Sequence, residues 1–159
     1  MTYPEPVYLG DDGEVSATYR SATAKPEITF ESGATLSYIA TGASTGGKFG
    51  IYRMDMGPQH GGATPHFHRG FTESFFVVAG TVGIYDGKDW LDAAPGDFIH
   101  VPEGGLHGFR NTSGAPASLL IHFSPGAPRE PYFEGLLRLG DMSDEERAAF
   151  FIEHDNIWV

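Results

Sequence analysis

Apolar and polar positions along this chain alternate over short runs separated by turn-forming residues, which is the period of strands. Ala34 to Thr41 and Lys48 to Met56 are two such runs, and the turn-rich Gly42-Ala-Ser-Thr-Gly-Gly47 between them predicts a hairpin. Successive strand side chains face opposite ways, so Tyr52, Met54 and Met56 share one face while Phe49, Ile51, Arg53 and Asp55 share the other. The first set is a candidate interior lining, with plain core packing as the even alternative. Ser74 to Ala79 reads as a buried strand. Asp86-Gly87 is a hairpin signal within Thr81 to Leu91, and Pro95-Gly96-Asp97 turns the chain into Phe98 to Val101. Pro102-Glu-Gly-Gly105 then reverses it ahead of Leu106 to Asn111, and Ser118 to Phe123 forms one further run. Roughly eight to ten closely spaced strands are expected, which fits a sandwich or a barrel.

The two ends differ from this middle. Residues 1–35 alternate weakly and hold Pro4, Pro6, Pro26 and the Gly10-Asp-Asp-Gly13 turn, predicting an N-terminal arm with one or two short strands. Such arms cover a sheet edge in their own subunit or in a neighbour, so a homodimer is expected. Residues 36–128 form the β-core, and residues 129–159 read as a helical tail packed on it within one domain. In that tail Phe133, Leu136 and Leu137 have helical spacing over Pro131 to Leu139, with Gly140 as a stop. Ser143-Asp-Glu-Glu146 matches a capping box ahead of Arg147 to His154. Phe150, Phe151 and His154 fall on one side of that second helix, which is expected to cross one mouth of the barrel.

Composition narrows the partners. A chain of 159 residues is about one domain long, with a core large enough to need no disulfides, and it has no cysteine. Its 22 glycines and 11 prolines suit many tight turns. A formal charge of −11 without a basic cluster repels nucleic acid and anionic membrane surfaces, so neither is an expected partner. Met1 to Pro6 shows neither a charged n-region nor an apolar h-region, and no run of 18 apolar residues occurs, so a cytoplasmic location is expected.

Gly61 to Gly80 carries the chemistry. On an extended backbone His66 and His68 project from one face, with Phe67 turned away. Arg69 to Thr72 is long enough for a turn, which puts the Glu73 carboxylate at the start of the next strand. Two imidazoles and a carboxylate suit one divalent transition metal ion (Fe, Mn, Ni, Co, Cu or Zn), and a thiolate site is excluded. A fourth candidate, His107, stands on the strand returning from the Pro102-Glu-Gly104 reversal. His60, His100, His122 and His154 lie outside this pattern and read as ordinary surface or core histidines.

The segment Gly96 to Asn111 resembles the second motif of the cupin superfamily, G-x5-P-x-G-x2-H-x3-N, at every fixed position. The first motif, G-x5-H-x-H-x3–4-E-x6-G, is matched by His66, His68, Glu73 and Gly80. Gly61 and Gly62 lie one and two residues closer to His66 than that pattern asks, a departure in a turn. The resemblance implies an all-β double-stranded β-helix, the cupin jelly-roll barrel, with His66, His68, Glu73 and His107 holding an ion inside and short helices at the C-terminal end. By parity Phe75, Val77 and Phe109 share the interior face with them, giving an apolar pocket suited to a flat aromatic or enolic small molecule. Tyr52, Met54, Phe75 and Phe109 are the candidate pocket residues. Asn111 reads as a turn or backbone-satisfying group, and Arg110 points away from the site.

This architecture hosts many reactions, so activity must be argued from the site. The chain looks most like small quercetinase-type dioxygenases, which cleave flavonols. In that reading the substrate's enolic oxygen binds the ion as Glu73, the candidate catalytic residue, takes its proton, and oxygen then attacks the ring. The alternatives are a non-oxidative metal cupin, such as a polyketide cyclase or an isomerase, and a non-catalytic small-molecule binding cupin.

Overall fold

A computed structural model describes residues 2–159. Its strands are β1 (Ile28–Thr29), β2 (Thr35–Ala40), β3 (Gly50–Met56), β4 (His60–Phe67), β5 (Thr72–Ala79), β6 (Val82–Tyr85), β7 (Trp90–Ala93), β8 (Phe98–Val101), β9 (His107–Asn111), β10 (Ala117–Ser124) and β11 (Ile157–Trp158), with helices α1 (Glu130–Leu136) and α2 (Asp144–Glu153) before the last strand. Two sheets result, ordered β1-β2-β3-β10-β5-β8 and β11-β4-β9-β6-β7, with every pairing antiparallel. Eleven strands exceed the eight to ten expected because two-residue strands close the edges at β1 and β11. Neither is long enough to show a period in sequence.

The predicted hairpins form. β2 pairs β3 across the glycine-rich turn, and β6 pairs β7 around Asp86-Gly87, whose Asp86 carboxylate accepts from the Lys88 and Asp89 amides. Alternation fixes which side chains enter the space between the sheets. β3 buries Tyr52, Met54 and Met56, β10 buries Leu119, Ile121 and Phe123, and β5 contributes Phe75 and Val77. Val82, Ile84 and Phe109 meet them from the second sheet. Each such side chain contributes about 1.5–3 kcal/mol on leaving water, which makes this layer the main source of stability. β4 is irregular by contrast, with register shifts against β9 on both sides of Ala63. Gly62 adopts φ +62° there, and a Cβ on it would stand 2.0 Å from the Phe109 carbonyl oxygen, so the bulge requires glycine.

Residues 2–27 hold no regular element and lie mostly exposed, while β1 adds itself to the β2 edge. Glu27 fastens this junction by accepting from the Tyr38 amide and pairing with Arg20. At the other end α1 stops at Leu136, and Leu137 faces solvent in place of the inward position expected for it. Tyr132 and Phe133 are the side chains that α1 buries. α2 has the predicted capping box, the Ser143 hydroxyl accepting from the Glu146 amide and the Glu146 carboxylate from the Ser143 amide. Phe150 of α2 stacks on Tyr132 at 5.8 Å. The chain then turns through Asp155, at φ 52°, and lays β11 along β4.

Candidate metal centre

Three short segments deliver four polar groups to one point inside the barrel. His66 is near the end of β4 and lies directly across from His107, the first residue of β9. His68 follows β4, and its carbonyl accepts from the Gly104 amide, so the Pro102-Glu-Gly reversal is fastened to the first histidine segment. Glu73 enters from β5 in the opposite sheet. All four are buried, and their ligand atoms lie within 4.8 Å of one another.

The backbone orients each ring. Nδ1 of His66 donates to the Thr64 carbonyl, Nδ1 of His68 to that of Asp155, and Nδ1 of His107 to that of Gly105. These acceptors keep a proton on each Nδ1, so an Nε2 that gives up its own proton offers its lone pair to the centre, the usual outer support of a metal-binding imidazole. The Oε2 atom of Glu73 lies 2.8 Å from Nε2 of both His68 and His107. Burial alone would raise the Glu73 pKa, but the hydrogen bonds and charge of His107 and His68 outweigh it and hold the carboxyl well below its ordinary range. Burial likewise acts to lower His107, and the Glu73 hydrogen bond and charge reverse it, leaving that imidazole raised. His66 has no such contact, and burial drives it down to about 3 despite the charge of Glu73. This donor set fits a divalent ion: three oriented imidazoles and one carboxylate, compact and shielded from water.

A cavity of about 240 Å³ opens beside the cluster, with His66 and Glu73 on its wall. Met54 and Phe109 also line it. Tyr52 and Phe75 are not among its lining residues. Both point inward as parity requires, but Tyr52 lies a layer deeper, where its hydroxyl donates to Glu130 and its ring meets Phe123 and Phe133. Phe75 packs behind His107 and Phe109. Parity gives the face of a strand and leaves the depth open.

The far wall comes from the tail: Arg129, Tyr132, Phe133 and Leu136 around α1, and Asn156 and Trp158 at β11. None was legible as a site residue, since their approach depends on the tail folding back on β4. His60, read as an ordinary histidine, also lines the cavity. Its Nδ1 accepts from the Gly62 amide, and its Nε2 lies 3.2 Å from the Ser32 hydroxyl. Asn111 has the backbone role expected of it, and Arg110 lies over the Trp90 ring at 3.7 Å, away from the cluster.

A two-sheet jelly roll enclosing three histidines and a glutamate has the cupin fold and a donor set compatible with a metal ion. A family model described as Cupin domain matches residues 52–123, which include all four groups. Over that stretch the chain is similar to the cupins. Quercetin 2,3-dioxygenase of Bacillus subtilis (strain 168) is 31% identical over 72 residues, a stretch spanning 45% of this chain and 21% of that protein. Among solved structures, a predicted oxalate decarboxylase from Thermotoga maritima superposes with a TM-score of 0.60 at 20% identity, covering 69% of this chain and 99% of that one. The polyketide cyclase RemF from Streptomyces resistomycificus superposes with a TM-score of 0.54 at 20% identity, covering 68% and 78%. These two likenesses show the fold. No helix of the described residues is long and apolar enough to cross a membrane.

Proposed function

We propose that this chain is a metal-dependent cupin dioxygenase, similar to quercetinases, acting on a flavonol or another planar enolic or aromatic substrate. His66, His68, Glu73 and His107 are the residues that would hold one divalent transition metal ion. The observation that carries the reading is the placement of this donor set against a cavity walled by Met54, Phe109, Phe123 and Phe133. When bound, the ion supplies Lewis acidity and a template for substrate and oxygen.

The chain's own groups perform the remaining tasks. The aromatic wall receives a flat ring and excludes water from it. Glu73 is the carboxylate on that wall, so it would act as the base that takes the proton of an enolic hydroxyl presented to the cluster. The Nδ1 hydrogen bonds to Thr64, Asp155 and Gly105 keep the imidazoles from turning as the ligand enters. Likeness to a quercetin dioxygenase over 72 residues supports the oxygen-dependent form of this chemistry.

The test is turnover of a flavonol and of a β-diketone by metal-loaded protein, with and without oxygen. Turnover that needs oxygen, with labelled oxygen entering the product, is the expected result. Equal turnover under anaerobic conditions removes the dioxygenase reading and leaves a non-oxidative cupin enzyme.

A further inference from the structure

The tail-side wall of the cavity carries a set of hydrogen-bond donors with nothing to donate to. Arg129 is 3% exposed and Asn156 is 1% exposed. Nη1 of Arg129 donates to the His154 carbonyl and Nη2 to Oδ1 of Asn156, while its Nε has no partner. That second bond settles the Asn156 amide, because the flipped form would set two donors against each other, and its Nδ2 is the unpartnered end. Nε1 of Trp158 is likewise buried and unpaired, with the indole ring against His66 at 4.8 Å. Five buried side-chain polar atoms lack partners among the described residues, and three of them belong to residues of this wall.

Charge points the same way. Arg129 forms no ion pair among the described residues, and its guanidinium rests on the rings of Tyr132, Phe71, Phe123 and Phe133 at 4.1 to 5.7 Å. Aromatic faces offset part of the cost of burying a cation, but they accept none of its N–H bonds. Arginine Nε, amide nitrogen and indole nitrogen are donor-only atoms. A water placed among them arrives with two protons that need acceptors. A carboxylate arrives with lone pairs alone and one negative charge, matching both deficits.

We propose that Arg129, Asn156 and Trp158 form an anion-receiving end of the cavity, and that the substrate is an aromatic or enolic carboxylic acid. Its carboxylate lies on these donors and its planar body reaches toward Glu73 and the histidines. This deepens the function proposed above by naming the substrate class of the same cavity, and it does not depend on whether oxygen is used.

Calorimetric titration of the full chain, metal-free and zinc-loaded, with benzoate, salicylate and the neutral benzyl alcohol tests it. The acids bind both forms of the protein and benzyl alcohol does not. Trp158→Phe keeps the ring and removes one donor, and it weakens the acids by about tenfold. Arg129→Met abolishes binding, but Arg129 also tethers the tail through His154 and Asn156, so the indole variant carries the decision. Three outcomes overturn the proposal: no binding of either acid at millimolar concentration, equal binding of benzyl alcohol, or acid binding that needs zinc and ignores Trp158→Phe. Failure of the oxygen-dependent reading would leave metal-free acid binding intact, so the two failures are distinguishable.

Discussion

Replacing Asn111 by alanine should destabilise the protein by about 3 kcal/mol while leaving its metal affinity unchanged. Asn111 is fully buried, and its side chain joins the loop after β3 to the loop after β9. Nδ2 donates to the Gly57 and Ala115 carbonyls at 2.8 Å each, and Oδ1 accepts from the Ser113 amide at 3.0 Å and its hydroxyl at 2.7 Å. Four bonds at about 1 kcal/mol each give about 4 kcal/mol. Water returns part of this at Ala115, which is exposed and keeps the Ser113 hydroxyl, while Gly57 is left with less recourse. For a chain of this length the loss corresponds to a midpoint lowered by about 6–12 °C. Urea denaturation with unchanged slope measures it, and metal titration of the folded variant supplies the second readout. A loss under about 1 kcal/mol, or normal stability with lost metal affinity, would refute the backbone-satisfying role.

Three further outcomes follow from the same geometry. Metal binding needs a neutral imidazole at His107, whose pKa lies above 6.5, so apparent affinity should fall as pH drops through that raised value and level off above it. His66, already neutral down to about 3, adds no slope in that range, and a flat profile would contradict the assignment. In Glu73→Gln the partner that raises His107 is gone, so the inflection measured by metal titration should move to lower pH. Gly62→Ala sets a Cβ against the Phe109 carbonyl in a left-handed conformation and should lower stability by about 1–3 kcal/mol, whereas Gly61→Ala, with open space around it, should not.

The legible and illegible parts of the site divide along local and long-range structure. His66 and His68 share a face because a strand has period two, and the Pro102-Glu-Gly reversal announces the strand that returns His107. These are properties of neighbouring residues. That Glu73 meets them from the opposite sheet follows from closure of the barrel, which the strand spacing and the motif resemblance together implied. The acceptors for the three Nδ1 groups were not legible, because backbone carbonyls carry no sequence signature. The spacing in the tail predicts helices, which it contains, but Ile157–Trp158 is too short to show alternation, and its pairing with β4 has no signal in the sequence. The same holds for Arg129, Asn156 and Trp158, whose meeting depends on the turn at Asp155.

Metal content of the purified chain, measured beside His66→Ala and Glu73→Gln after identical loading, bears most directly on the central claim. One divalent ion per chain is expected for the parent protein, with substoichiometric metal in both variants. Undiminished, stoichiometric metal in folded His66→Ala would contradict the account.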